Sequence, residues 1–287
     1  MPSLNSNLNR IVFQFFFSFM MVITGCDEIF SEDNNHSQKA SEWSTVQYPV
    51  NDSINTLSID QPNGSIQIIG TQLIDSISVE YEKVVKASSK AEAAAHLDDI
   101  VVTISQIGSN FYIHVDHPNG SERNYELNLF VTIPDHWLTD LNLANGSIEL
   151  ENMAQDSQIN LANGDLAIHN LVGNLDISLA NGSLAVQEHT GNLNCQLVNG
   201  QISVHTSLIY AGECIISLTN GNMHVHIPPS TSATVELSVQ NGAIIHSGLP
   251  LVISTQSDHF LQGQLGDGSG SIDLNAGNGN IFLRNLD

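Results

Sequence analysis

The chain has 287 residues, enough for one large domain or two ordinary ones. At 41% apolar it can bury a core, while 30 Asp and Glu against 7 Lys and Arg leave a formal net charge of -23. Such a chain repels nucleic acid phosphates and anionic lipid heads, and no basic cluster overrides the average, so nucleic acid is excluded as a partner. Acidity by itself serves solubility.

In chain order, Arg10 is a lone positive charge ahead of the apolar run IVFQFFFSFMMVITG. A charged start, an apolar stretch short for a membrane span and then small residues read as a signal peptide over residues 1–25. The run ends in VITGC, with Ile23, Thr24 and Gly25 before Cys26. This resembles the lipobox of bacterial lipoproteins. The resemblance implies that Cys26 becomes the new N-terminus and carries acyl chains such as palmitate. More than one acyl chain makes a stable anchor. No later segment reaches 18 consecutive apolar residues, so the expectation is a chain lipid-anchored to a membrane of the bacterial cell envelope without spanning it. Asp27 resembles the signal that keeps some lipoproteins on the inner membrane; inner or outer membrane stays open.

Residues 26–50 read as a lipidated tether, since DEIFSEDNNHSQKASEWST is rich in Ser, Asn and acids. Residues 51–287 read as one all-β domain. Its first landmark is LSIDQPNGSIQII, an outlying copy of a motif that recurs later, holding Asn63-Gly64. An insertion follows over about 71–138. Within it ASSKAEAAAHLDDI (87–100) predicts the one convincing helix, and IVVTIS, FYIHVDH and YELNLFVTIP alternate like strands. HPNGSER at 117–123 reads as a hairpin turn.

The main array then begins. Asn-Gly occurs at 145, 163, 181 and 199 with spacings of 18, at 220 and 241 with spacings of 21, and at 278 after 37, about two periods. Apolar residues stand two and four positions before each Asn and mostly three and five after it, as Leu179 and Ile177, Leu184 and Val186 do around Asn181. Period-2 alternation makes both arms half-buried strands. Asn-Gly between strands is the usual hairpin signal. Two facts favour a coil instead: each period holds a second corner, VGN at 172–174 and TGN at 190–192, and a long meander would leave its apolar face uncovered. The expected fold is therefore a right-handed parallel β-solenoid of 18–21-residue rungs. Asn145, Asn163, Asn181, Asn199, Asn220, Asn241 and Asn278 would stack into a structural ladder, and each Gly would supply the positive φ of the corner.

The first rung NGSIQI, then AEAAAHLDDIVVTIS, then TIPDHWLTDLNLANGSIEL and the ending LQGQLGDGSGSIDLNAGNGNIFL resemble the bacterial putative-adhesin domains, close to the head GIN domains. The resemblance spans about 55–287. It implies a parallel β-solenoid, often secreted or membrane-attached, with no established enzyme activity and no functional residues to carry over.

Three residue sets could carry chemistry. His205, His224 and His226 fall at outward positions of adjacent rungs, a spacing from which imidazoles could bind Zn²⁺ or Cu²⁺; a solvated polar ladder is the plainer reading. Cys195 and Cys214 fall at inward positions staggered by two residues, so their Cα atoms would lie about 8 Å apart, beyond ordinary disulfide reach, and buried free thiols are expected; an oxidising envelope argues the other way, and a longer loop between these rungs would shift the register and close the bond. The acids are scattered, without the paired carboxylates of a glycosidase or the ligand count of a calcium loop. No catalytic residues, no cofactor and no small-molecule substrate are expected. The expected role is non-enzymatic: a membrane-anchored surface for binding or adhesion to an unknown protein or glycan. A periplasmic scaffold or envelope-stress element is the alternative, and a polysaccharide-acting enzyme comes third.

Overall fold

The computed structural model describes residues 38–118 and 123–286. In chain order the elements are β1 (Gln38–Pro49), β2 (Thr56–Thr71), β3 (Ser76–Ala87), α1 (Lys90–Ala95), a 3-10 turn (Leu97–Asp99), β4 (Val101–Ile107), β5 (Asn110–Asp116) and β6 (Asn124–Pro134). Then come the long strands β7 (Leu138–Met153), β8 (Ser157–Val172), β9 (Leu175–Thr190), β10 (Leu193–Ser207) and β11 (Glu213–Ile227). Last are β12 (Ala233–Asn241), β13 (Ile244–Ser247), β14 (Val252–Gln256), β15 (Phe260–Leu265), β16 (Gly270–Asn278) and β17 (Ile281–Asn285).

The copies stack in parallel, β7 on β8, β8 on β9, β9 on β10 and β10 on β11, with Asn opposite Asn and Gly opposite Gly. Hairpins would have made these pairs antiparallel, so the Asn-Gly dipeptides are corners of a coil. Each rung buries its alternate residues: Ile159 and Leu161 before the corner of β8, Leu166 and Ile168 after it, then Leu171. The odd gaps between Leu161 and Leu166, and between Ile168 and Leu171, mark two places where the chain turns and inward parity resets. The second is a corner the sequence did not reveal. There Asn152, Asn170 and Glu188 hold left-handed φ of 58°, 54° and 56°. With the expected Gly173-Asn174 corner, each such rung has three turns around one continuous apolar core.

Both ends depart from simple repetition. The outlying copy is a full rung: β2 pairs with β7 in register, Asn63 opposite Asn145. On its other side β5 pairs in parallel with the first arm of β2, and β6 with the second arm. The segment expected to be a hairpin turn therefore joins two arms of one rung; its tip, 119–122, lies outside the described residues. The expected insertion is thus part of the coil and its cap. β4 pairs antiparallel with β5, β3 with β6, and β1 with β3. Residues 38–49 are therefore sheet rather than tether, held by buried Ala40 and Val46 and by Trp43 stacked on Phe130 at 5.9 Å. The expected helix shortens to six residues, N-capped by the Ser89 side chain accepting from the Glu92 N–H.

At the other end the chain does not run in sequence order. β16 and β17 insert between β11 and the β12/β13 rung, so that β11 pairs with β16 and β17, and these pair with β12 and β13. Antiparallel β15 and then β14 close the first arm. The expected placement of the Asn278 copy beyond the Asn241 copy is therefore corrected: it lies inside it.

Candidate functional site

The corner ladder is real and longer than expected. Its order is Asn63, Asn145, Asn163, Asn181, Asn199, Asn220, Asn278, Asn241, each Nδ2 donating to the preceding Oδ1 at 2.7–2.9 Å. All donors point one way. The ladder ends at His117, whose Nε2 lies 2.9 Å from Asn63 Nδ2 while its Nδ1 lies 3.1 Å from the Pro118 carbonyl. Those partners require Nδ1–H donating to the carbonyl and Nε2 accepting from the amide. Beside the ladder runs a glycine column so close that a Cβ on Gly182 would fall 1.7 Å from the Gly164 oxygen, at φ +144°. These residues have their valences filled by one another and hold the coil together.

The histidines do not converge as a metal site. His205 and His226 meet, with ring centroids 4.6 Å apart. His224 instead lies flat on Phe282, 4.3 Å between centroids and 5° between planes. Burial, and then the Arg284 charge, lower its pKa. Among the described residues no three His, Cys, Asp or Glu side chains are grouped so as to hold a metal ion. The inserted C-terminal rung sets Phe282 against His224 and Arg284 beside His226.

Cys195 and Cys214 are free, fully buried and offset by two residues, Leu193 facing Cys214 and Cys195 facing Ile216. Burial pushes both thiols up to about 12, so neither is a nucleophile at neutral pH. Cys26 lies outside the described residues. Among the described residues no helix is long and apolar enough to cross a membrane.

Two features escaped the sequence reading. His189 is 1% exposed in a column shared with Met153 and Leu171. Its Nε2 sits 3.0 Å from the Gly173 carbonyl, to which it donates, and its Nδ1 sits 2.7 Å from Thr206 Oγ1, from which it accepts. Burial lowers its pKa, against a smaller opposing effect of the carbonyl. The apolar column was the available signal. The second is Glu236 beside Asp273, in register on adjacent strands of an open outer groove also lined by Glu213 and Gln262. The interleaving brings this pair together, and residues 37 apart gave no hint of it.

A family model described as Toastrack DUF4097 matches residues 53–284. No curated protein matches the chain. Among solved structures, one called "putative cell adhesion protein" from Clostridium sporogenes ATCC 15579 is 14% identical with a TM-score of 0.39, over 87% of this chain and 100% of that one. A "putative lipid binding protein" from Parabacteroides distasonis ATCC 8503 is 10% identical with a TM-score of 0.39, over 88% and 98%. A "putative adhesin" from Bacteroides fragilis NCTC 9343 is 11% identical with a TM-score of 0.33, over 85% and 97%. The family match covers nearly the span over which the sequence resembles putative-adhesin domains, and it falls on the solenoid: the chain belongs to the Toastrack DUF4097 family.

Proposed function

We propose that the chain is an envelope lipoprotein, acylated at Cys26, that presents its solenoid as a rigid, non-enzymatic binding surface. One observation carries the reading. The inward residues, the Asn ladder and the glycine column account for the fold, while outward residues beyond the short Asn and Asp bonds between rungs change from rung to rung. Outward at one arm position stand Glu149, Ala167, Ala185, Ser203, His224 and Phe282 in successive rungs. A surface free to vary on a stiff support suits recognition of a protein or glycan.

Protease shaving of intact cells, with lysed cells as control, tests it. Degradation in intact cells supports outward binding and adhesion. Protection until lysis supports the second reading, a periplasm-facing scaffold or signalling element, which Asp27 beside the acceptor cysteine favours.

A further inference from the structure

In an Asn-Gly dipeptide the glycine nitrogen can reach the asparagine carboxamide carbon and close a five-membered imide, and glycine has no side chain to stand in the way. All eight asparagines of the corner ladder are followed by Gly, so the fold offers this reaction at eight places that differ only in their surroundings. In seven of them the carboxamide is held on both sides, from Asn63, whose Nδ2 meets His117, to Asn278, whose Oδ1 accepts from Asn241. Asn241 is the last of the ladder. Its Nδ2 donates to Asn278 Oδ1 at 2.9 Å, and among the described residues nothing donates to its own Oδ1. The backbone is one-sided in the same way. Gly279 N–H donates to the Asn241 carbonyl on the rung above at 2.8 Å. At the other corner Gly173 N–H likewise donates to Thr190 and Gly191 N–H to Ser207, each a rung further on. Gly242 has no further rung at this corner, and among the described residues its N–H has no acceptor. Asn241, Gly242 and Ala243 are all exposed. They are held from below alone, with Ala243 N–H donating to Asn280 Oδ1 at 2.9 Å and the Ala243 carbonyl accepting from Ile281 N–H at 3.0 Å.

We propose that Asn241 is a site of spontaneous modification, where the carboxamide becomes a carboxylate while the seven other ladder asparagines keep theirs. Hydroxide takes the Gly242 N–H proton, and the nitrogen forms a bond to Asn241 Cγ. The Cγ–Nδ2 bond breaks, and the amide leaves as ammonia with a proton from water. A second step adds water to either carbonyl of the imide and reopens it as aspartate or isoaspartate. The sum exchanges an amide for a carboxylate at the expense of water, with no electron transfer. Selectivity follows from the bonds to be broken. An N–H that donates to a carbonyl loses that bond before it can be deprotonated, and a carboxamide bonded at both ends gives up both bonds to turn. The interior rungs therefore react only when the stack opens, whereas at Asn241 a single side-chain bond stands in the way. The product alters the end of the stack. A carboxylate accepts but does not donate, so it sets an oxygen against Asn278 Oδ1 and ends the ladder one rung earlier. The isoaspartate route also inserts a carbon into the main chain between β12 and β13. The outermost rung is thus the one whose order declines with time, whatever the solenoid binds.

The test is peptide mass mapping of the full chain in non-ionic detergent, incubated at mildly alkaline pH and then digested with pepsin in acid, where the reaction is slow. Each ladder asparagine is scored by a gain of about 1 Da. The same chain in urea is the reference, since there every Asn-Gly is free of the stack, and all eight are expected to convert at similar rates. In the folded chain Asn241 is expected to convert about tenfold or more faster than any of the other seven, as the loss of their extra hydrogen bonds requires. Conversion of an interior ladder asparagine as fast as Asn241, or an Asn241 that keeps its amide while the urea reference converts, would overturn the proposal. Asn241→Asp reproduces the product. It should leave the amides of β7–β9 protected against hydrogen exchange and loosen those of β12 and β13; unchanged protection in β12 and β13 would overturn the effect on the stack. The mapping uses the wild-type chain and needs neither acylation nor a ligand, so its outcome is distinguishable from that of the cell shaving.

Discussion

Glu188 occupies a corner position that the two preceding rungs give to Asn152 and Asn170, all three with left-handed φ. Asparagine tolerates that region, and Asn170 Nδ2 also donates to Asn152 Oδ1 at 2.8 Å. Glutamate gains neither. Glu188→Asn should extend this short ladder by one amide and stabilise the fold by about 1 kcal/mol, read as a raised urea midpoint at unchanged slope. The adjacent residue carries a pH effect. His189 is held neutral by burial, so its folded pKa lies below the unfolded value near 6.5. Between those two values the unfolded chain binds more protons, so stability is complete above about pH 6.5 and falls as pH drops below it. His189→Leu puts into the column the residue that Leu171 already supplies, but leaves Thr206 Oγ1 without its buried partner. The variant should be less stable than wild type at pH 7.5, by about 1–2 kcal/mol, with the gap narrowing towards pH 5. Melting curves across that range check it; a constant gap would show that His189 is not the titrating group.

At the scale of elements, the interleaved C-terminus is the feature with most consequence. β12 touches β11 only through β16, and β13 touches β11 only through β17. Deleting residues 266–287 removes a rung from within the stack rather than from its end. Hydrogen exchange should then show the amides of β12, β13, β14 and β15 unprotected while those of β7–β9 stay protected, because each solenoid rung depends chiefly on its neighbours. Protection retained in β12 would mean that it had slipped onto β11 directly. The same region shows what the sequence could and could not tell. Alternation around each Asn-Gly disclosed both arms and their inward faces, because one face of every strand is dry. Near-equal spacing, three steps of 18 and one of 21, disclosed the stacking of rungs 145 to 220. The interleaving was hidden because Asn220, Asn241 and Asn278 carry the same motif, and a motif says that a rung stacks without saying on which neighbour. β1 was hidden because QKASEWSTVQYP buries only Ala40 and Val46, too few for a clear period. The left-handed corner was hidden by mixed identity, Asn, Asn and Glu. The outward register of His205, His226 and Arg284 needed both the spacing that puts His205 opposite His226 and the interleaving that brings Arg284 beside them.

The whole molecule is a stack with distinct ends. Along the second arm the order runs β1, β3, β6, β2, β7, β8, β9, β10, β11, β17, nine steps from the first described residues to Arg284. At about 4.8 Å per step that is roughly 40 Å. Acylation at Cys26 would tether the β1 end, twelve residues before Gln38, and carry the C-terminal rungs away from the lipid surface. Distance would suit the charge: a net -23 body is repelled by anionic headgroups, so the proposed anchor rests on acyl chains and not on electrostatics. Wild type should therefore incorporate labelled palmitate and sediment with membranes, and resist extraction by high salt. Cys26→Ala should incorporate none and move to the soluble fraction. Its melting temperature should match wild type, because the acceptor cysteine precedes every strand of the sheet. Sedimentation of the variant together with absence of label in wild type would remove the anchor from the account, and the stack would need some other means of being held at a surface.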